Sequence, residues 1–226
     1  MNESSAASKR DVLQQIRANG IIAVIRVDSA EAAVNVARAI VAGGIRIVEI
    51  TYTIPDAGNV IARLVDERAR GELDAQLLLG AGTVLAATQA HEAVDAGARF
   101  LVSPCVVPAV MSAARERGVV MLPGAFTPTE IHSASIGGDI VKVFPASHFG
   151  PQYFRDLSGP FPHIPLLPSA GVNIANVGEW FRAGAVAVGI GSSVIDPAAV
   201  ARGDWPALTE RAREFVEAVR RAREDN

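Results

Sequence analysis

Short apolar runs rich in β-branched residues recur along the chain every 20 to 30 residues, and each is followed by a segment with helical spacing. The runs begin near Ile21, Arg46, Gln76, Phe100, Val120, Ile140, Pro165 and Ala185. Such alternation predicts parallel strands covered by helices. Eight units in a row favour closure into a (β/α)8 TIM barrel, an α/β fold whose lower size limit, about 200 residues, suits a 226-residue chain. The rival is an open doubly wound sheet, which would hold a ligand at a topological switch point. No linker or low-complexity stretch divides the chain, so a single domain is expected over residues 1–226. It would comprise a polar N-terminal tail at 1–10, barrel strands and loops over 21–195, and a C-terminal helix over 205–223.

The intervening segments read as helices with one buried face. In the first, Ala33, Val36, Ala37, Ile40 and Val41 follow core-facing spacing, with Asp28 or Ser29 to cap the start and Gly43-Gly44 to end it. In the last, Leu208, Ala212, Phe215, Val216 and Val219 form a comparable stripe. A short extra helix before Ile21 could close the barrel bottom. Half of the residues are apolar and the net charge is −3, yet no apolar run approaches the roughly 20 residues needed to cross a bilayer. With neither a basic stripe nor stacking rings, no nucleic-acid partner is expected. One cysteine, Cys105, cannot form an internal disulfide, and the stretch before Asp11 lacks an apolar signal core. A cytoplasmic protein is expected.

In a barrel, functional groups collect where strands run out into the following loops. Here those positions carry Arg26, Glu49 with Thr51 and Thr53, Gly82-Thr83, Ser103-Pro104, Pro123-Gly124, Lys142 with Phe144-Pro145, Ser169 to Gly171, and Gly191-Ser192. Of 21 basic residues, 19 are arginine; the lysines are Lys9 and Lys142. Lys142 lies inside the apolar run Ile140-Val141-Lys142-Val143-Phe144. A charged ammonium is costly there, but lysine, unlike arginine, can escape the cost by giving up its proton, and the free amine attacks carbonyls. Glu49, inside Ile47-Val48-Glu49-Ile50-Thr51, is the expected proton shuttle. The competing reading makes the two a structural ion pair.

Gly171, Gly191 and Ser192, with Ser169 and the backbone of Ala170, offer main-chain N–H groups after the last two strands, where barrels often bind phosphate. Glycines that merely permit tight turns are the alternative. The four histidines, His91, His132, His148 and His163, show no paired ligand spacing, so no metal site is expected. Cys105 reads as a small apolar filler, and Trp180, Phe181, Trp205 and Phe215 as packing residues.

From about Ile21 to Ile195 the chain resembles the class I 2-keto-3-deoxy-6-phosphogluconate (KDPG) and 4-hydroxy-2-oxoglutarate (KHG) aldolases. The resemblance is carried by Val48-Glu49-Ile50-Thr51, Gly80-Ala81-Gly82-Thr83-Val84, Val102-Ser103-Pro104, and Pro123-Gly124 with Thr127-Pro128-Thr129-Glu130. Lys142 to Ala146 and Gly189 to Ser192 complete it. It implies a homotrimeric barrel enzyme that reversibly splits KDPG into pyruvate and glyceraldehyde 3-phosphate. Lys142 would be the Schiff-base residue and Glu49 the proton relay. Thr83, Pro104 and Phe144 would shape the pyruvate pocket, while Gly171, Gly191 and Ser192 would hold phosphate. Only small keto-acid and aldehyde partners are implied, with no cofactor, metal, nucleic acid or membrane.

Two stretches depart from the common family pattern. Some members carry an arginine after the Glu49 motif to grip the keto-acid carboxylate, where this chain has Thr51-Tyr52-Thr53-Ile54-Pro55, so Arg26, with Thr53 nearby, is expected to supply that charge. A rim salt bridge is the competing role for Arg26. In addition, Pro168-Ser169-Ala170-Gly171 stands where a threonine and two glycines are usual, which bears on the phosphate site and the acceptor aldehyde. The other readings are an aldolase for the galactonate epimer or another 2-keto acid, a metal-dependent aldolase, a phosphate-binding barrel isomerase or synthase, and a sugar-phosphate sensor without turnover.

Overall fold

A computed structural model describes residues 3–224. Nine short strands pair in parallel in two hydrogen-bonded groups. The first holds β1 (Ile21–Ile25), β2 (Ile47–Thr51), β3 (Leu78–Gly82), β4 (Phe100–Val102), β5 (Val120–Leu122) and β9 (Val188–Ile190), in the order β5-β4-β3-β2-β1-β9. The second is β6 (Gly124–Ala125), β7 (Val141–Val143) and β8 (Leu166–Pro168). Pro123 has no N–H to offer a ladder, and there one strand position changes groups, leaving β4 as β5 and joining β7 as β6. Parallel bridges Leu166↔Ala185 and Ser169↔Gly189 join the groups on the other side. The nine segments therefore occupy eight positions around a closed barrel, with β5 and β6 sharing one. The expected strand starts fall within three residues of those observed.

Helices α2 (Ala30–Ala42), α3 (Ala57–Ala69), α4 (Ala87–Asp95), α5 (Pro108–Arg117), α6 (Pro128–Ser135), α7 (Gly150–Ser158), α8 (Val177–Arg182), α9 (Pro197–Arg202) and α10 (Trp205–Glu224) alternate with the strands. Ser29 rather than Asp28 caps α2, its hydroxyl accepting from the Ala32 N–H, and Gly43 ends the helix. Gly43 also admits α10: a Cβ there would lie 2.5 Å from both the Ala212 Cβ and the Thr209 carbonyl. Leu208, Ala212, Phe215 and Val219 are buried as the stripe requires, and Trp180 and Phe181 pack in the same core.

Two apolar clusters follow from strand alternation. The larger joins the outer strand faces to the helices. The smaller contains Ile22, Ile47, Leu78, Phe100, Val102, Val120, Leu122, Ile140, Leu167 and Ala187, the inward residues of the strands. A Cβ at Gly80 would meet the Phe100 ring at 2.4 Å, so that glycine makes room for the largest side chain of this cluster. Val12 and Ile16 of α1 (Glu3–Asn19) belong to it too and seal the barrel floor. The expected polar tail at 1–10 is thus corrected: the described part, from Glu3, already belongs to this helix, and Lys9 pairs with Asp139 at 3.0 Å. Cys105 is a second correction, since it is exposed on a loop rather than filling the core. Among the described residues no helix is long and apolar enough to cross a membrane.

Candidate active site

The floor is filled, so the polar groups that interrupt the inward faces lie toward the carboxyl ends of the strands. Glu49 on β2 and Lys142 on β7 are 2% and 6% exposed, and Lys142 Nζ lies 4.0 Å from Glu49 Oε1. This is the outer limit of an ion pair; a charge-assisted hydrogen bond closes to about 2.8 Å. Glu49 Oε1 is buried and, among the described residues, has no hydrogen-bond partner. The spacing is that of two groups able to share a third atom rather than of a closed salt bridge. An oxygen placed about 2.8 Å from each group bridges that gap.

Glycine creates the space. A Cβ on Gly82 of β3 would stand 1.7 Å from Glu49 Oε1 and 2.3 Å from its Cδ, so the carboxylate occupies the volume a side chain would take. Gly124, paired in register with Lys142, lies against the Pro104 carbonyl, where a Cβ would be 2.2 Å away. It brings the Ser103-Pro104 loop in beside the lysine strand. Phe144 follows Lys142 on the same face; its ring centroid is 5.5 Å from Nζ, and the side chain is 38% exposed at the mouth. Both glycines stand in the sequence among the strand-end motifs, but the signal for their role is three-dimensional.

A second polar group lies above the pair. Arg26, after β1, donates to Thr53 Oγ1 at 2.9 Å and to Thr83 Oγ1 at 2.8 Å. Thr51, one of the polar groups that the sequence places at the strand ends but assigns no role of its own, joins this set: its hydroxyl lies 2.9 Å from Thr53 Oγ1 and donates to the Ile25 carbonyl. Among the described residues no carboxylate lies within ion-pairing reach of Arg26, so the rim salt bridge considered for it is absent. Thr83 holds its hydroxyl toward Arg26 from a backbone with φ of +54°, a conformation that costs a β-branched residue about 1–3 kcal/mol and tends to persist where surrounding structure enforces it.

The glycine-rich ends of β8 and β9 adjoin through the Ser169↔Gly189 bridge. Ser169 is buried, its N–H donating to the Val143 carbonyl and its carbonyl accepting from Ala146 N–H. Ala170 and Gly171 follow in consecutive left-handed conformations, at φ +71° and +82°. Asn176 Nδ2 donates to the Gly171 carbonyl at 2.8 Å and fixes this turn. On the other side the Gly191 carbonyl accepts from Val194 and Ile195, and Ser192 is exposed. The expectation that Ser169 offers its N–H to a phosphate is thus corrected, since that N–H is held by the Val143 carbonyl in the ladder. Among the described residues no three His, Cys, Asp or Glu side chains gather closely enough to share a metal ion.

A sequence profile described as KDPG and KHG aldolase matches residues 12–211. The chain belongs to the KDPG and KHG aldolase family. A 2-dehydro-3-deoxy-phosphogluconate aldolase of Treponema pallidum is 33% identical over 211 residues, 92% of this chain and 96% of that protein. A probable 2-dehydro-3-deoxy-6-phosphogalactonate aldolase of Rhizobium meliloti is 35% identical, covering 78% of this chain and 82% of its own. Among solved structures, the KDPG aldolase of Legionella pneumophila matches with a TM-score of 0.79 and 30% identity, over 89% of this chain and 96% of that one. It was captured with pyruvate as a covalent carbinolamine. The match covers every strand position of the barrel, so the chain is an aldolase, a carbon–carbon lyase, of this family.

Proposed function

We propose that the chain is a class I aldolase that reversibly cleaves KDPG to pyruvate and glyceraldehyde 3-phosphate, and also acts on 4-hydroxy-2-oxoglutarate. The observation that carries this reading is the buried Lys142 amine 4.0 Å from a Glu49 oxygen that has no other partner among the described residues. The carbinolamine in the Legionella relative is the same class of chemistry.

Lys142, as the free amine, adds its nitrogen lone pair to the C2 ketone; Glu49 protonates the resulting alkoxide and, as a carboxylate, then takes back a proton from the positively charged C2-bound nitrogen, which gives the neutral carbinolamine and restores the acid. Loss of water, with Glu49 donating the proton to the leaving hydroxyl, gives an iminium ion. A base then takes the C4 hydroxyl proton; Glu49, now a carboxylate, is the group within reach. The O–H electrons form the aldehyde carbonyl, the C3–C4 bond breaks, and its electrons move into the C2–C3 enamine, neutralising the iminium. Protonation at C3 by Glu49 and hydrolysis release pyruvate and restore the amine. Arg26, backed by Thr53 and Thr83, grips the C1 carboxylate, and Pro104 and Phe144 wall the pyruvate methylene. Main-chain N–H groups of Ala170, Gly171, Gly191 and Ser192 receive the phosphate.

Borohydride reduction in the presence of pyruvate, followed by peptide mass measurement, tests the scheme. A reduced pyruvyl adduct on Lys142 is expected. Intact pyruvate binding without an adduct would overturn the Schiff-base mechanism and leave the isomerase, synthase or sensor readings. The galactonate epimer is the second reading for the substrate, favoured by the Rhizobium relative; relative kcat/KM on the two epimers decides between them. The trimer and the cytoplasmic compartment belong to the same proposal. Exposed Leu85, Ile136, Phe149 and Ile174 are apolar surface that assembly would cover, and sedimentation should give three times the 23.6 kDa chain mass. Cys105 is a free thiol, in keeping with a reducing compartment.

A further inference from the structure

The phosphate loops after β8 and β9 have a neighbour on a third loop. After β7 the chain passes from Phe144 into a short 3-10 turn, Ala146–His148, and Ala146 N–H donates to the Ser169 carbonyl at 2.9 Å. The next residue, Ser147, stands directly against Gly171. A Cβ built on Gly171 would lie 2.8 Å from both Ser147 Cα and Ser147 Cβ, and 3.3 Å from Ser147 N. Only a glycine lets the Ser169–Gly171 turn approach this closely, and Gly171 also has a φ of +82°. Ser147 is exposed, and among the described residues neither its hydroxyl nor its N–H has a hydrogen-bond partner.

We propose that Ser147 is a specificity-determining residue: its hydroxyl and N–H form a third wall of the pocket for the phosphorylated end of the substrate. The inference rests on the reading of Lys142 as Schiff-base residue. A chain of carbons bonded to Lys142 Nζ at one end and seated against Gly171 and Gly191 at the other leaves the lysine strand past Phe144. It then runs beside the turn that continues that strand. Ser147 is the residue of the turn that meets the phosphate loop, so it reaches the distal phosphate and not the pyruvate half. A hydroxyl and an N–H with no internal partner are the groups a phosphate oxygen needs, and hydrogen bonds to a charged group are strong enough to set substrate preference.

The test compares Ser147→Ala and Ser147→Glu with the unaltered enzyme on KDPG and on the same sugar acid lacking its phosphate. Thermal unfolding is followed for each protein, and each is trapped with pyruvate and borohydride. Ser147→Ala is expected to lower kcat/KM for KDPG about tenfold, mainly through KM, and Ser147→Glu about a hundredfold by placing a carboxylate against phosphate. The dephosphorylated substrate, the Lys142 adduct and the unfolding midpoint should remain within about twofold or a degree or so of the unaltered enzyme. Equal losses on both substrates, or none on either, while the adduct still forms, would overturn the role of Ser147 and leave the Schiff-base reading intact. Absence of the adduct from the unaltered enzyme would remove both.

Discussion

Gly82 and Glu49 share one small volume, and the division decides whether the carboxylate can stand beside Lys142. Because a Cβ at Gly82 would sit 1.7 Å from Glu49 Oε1, Gly82→Ala must push Glu49 away or shift the strand. We expect a loss of about 1–3 kcal/mol in stability, the usual cost of overpacking, and a fall of at least about a hundredfold in kcat, as for removal of an acid–base group. Chemical denaturation and steady-state kinetics on one preparation check both. A fall in stability alone, with kcat unchanged, would deny Glu49 its proton-transfer role. Arg26→Ala removes the charge held by Thr53 and Thr83 and should raise the pyruvate dissociation constant about tenfold to a hundredfold. Titration of trapping against pyruvate concentration measures it. Unchanged pyruvate binding would sink the carboxylate role.

At the scale of elements, the barrel floor is where stability concentrates. Ile16 of α1 is fully buried in the lumen cluster with Phe100 and Ile140, so Ile16→Ala should cost about 2–5 kcal/mol, read as a shift in the denaturant midpoint without a change of slope. This helix also shows where the sequence was hard to read. Apolar alternation disclosed eight strand positions, because inward and outward faces are both buried and interrupted only by turn residues. Lys142 and Glu49 were legible because a charge inside such a run has no bland place to go. The polar composition of residues 1–10, by contrast, suggested a tail, although only one face of α1 needs to be apolar and that face begins at Val12. The break at Pro123, the use of Gly82 as a vacancy for Glu49 and the contact of Ser147 with Gly171 pair residues 18 to 33 positions apart or depend on which ladder a strand joins. A linear pattern carries no record of such pairings.

At the scale of the whole molecule, the response of stability to acid is set in part by a charge network between the neighbouring helices α2 and α3. Glu67 of α3 is 2% exposed, accepts from Arg38 of α2 at 2.6 and 2.9 Å, and also meets Arg63, which reaches Glu31 of α2. The Arg38 guanidinium, aided by Arg63, holds the Glu67 carboxyl below its ordinary value against the opposing effect of burial. A carboxyl depressed in the folded state stabilises above its unfolded value, and that contribution disappears as pH falls through the folded one. Unfolding free energy should therefore decline with acid below the ordinary carboxylate range. Glu67→Gln should flatten the decline while lowering stability at neutral pH, measured by urea titrations across a pH series. A slope identical to that of the unaltered protein would remove Glu67 from the account.

The split of the strands into two hydrogen-bonded groups puts Lys142 and Glu49 on different ladders of the same barrel. Lys142 rides on the three-stranded group, while Glu49, Arg26 and Gly82 ride on the six-stranded one. The 4.0 Å separation is thus bridged by no ladder of its own; it is set by how the two groups lean on each other at Pro123 and at the β8–β9 bridges. The distance between amine and carboxylate therefore depends as much on the residues at these two seams, where Asp139 N–H donates to the Met121 carbonyl and Val186 N–H to the Leu166 carbonyl, as on the strands that carry the two side chains.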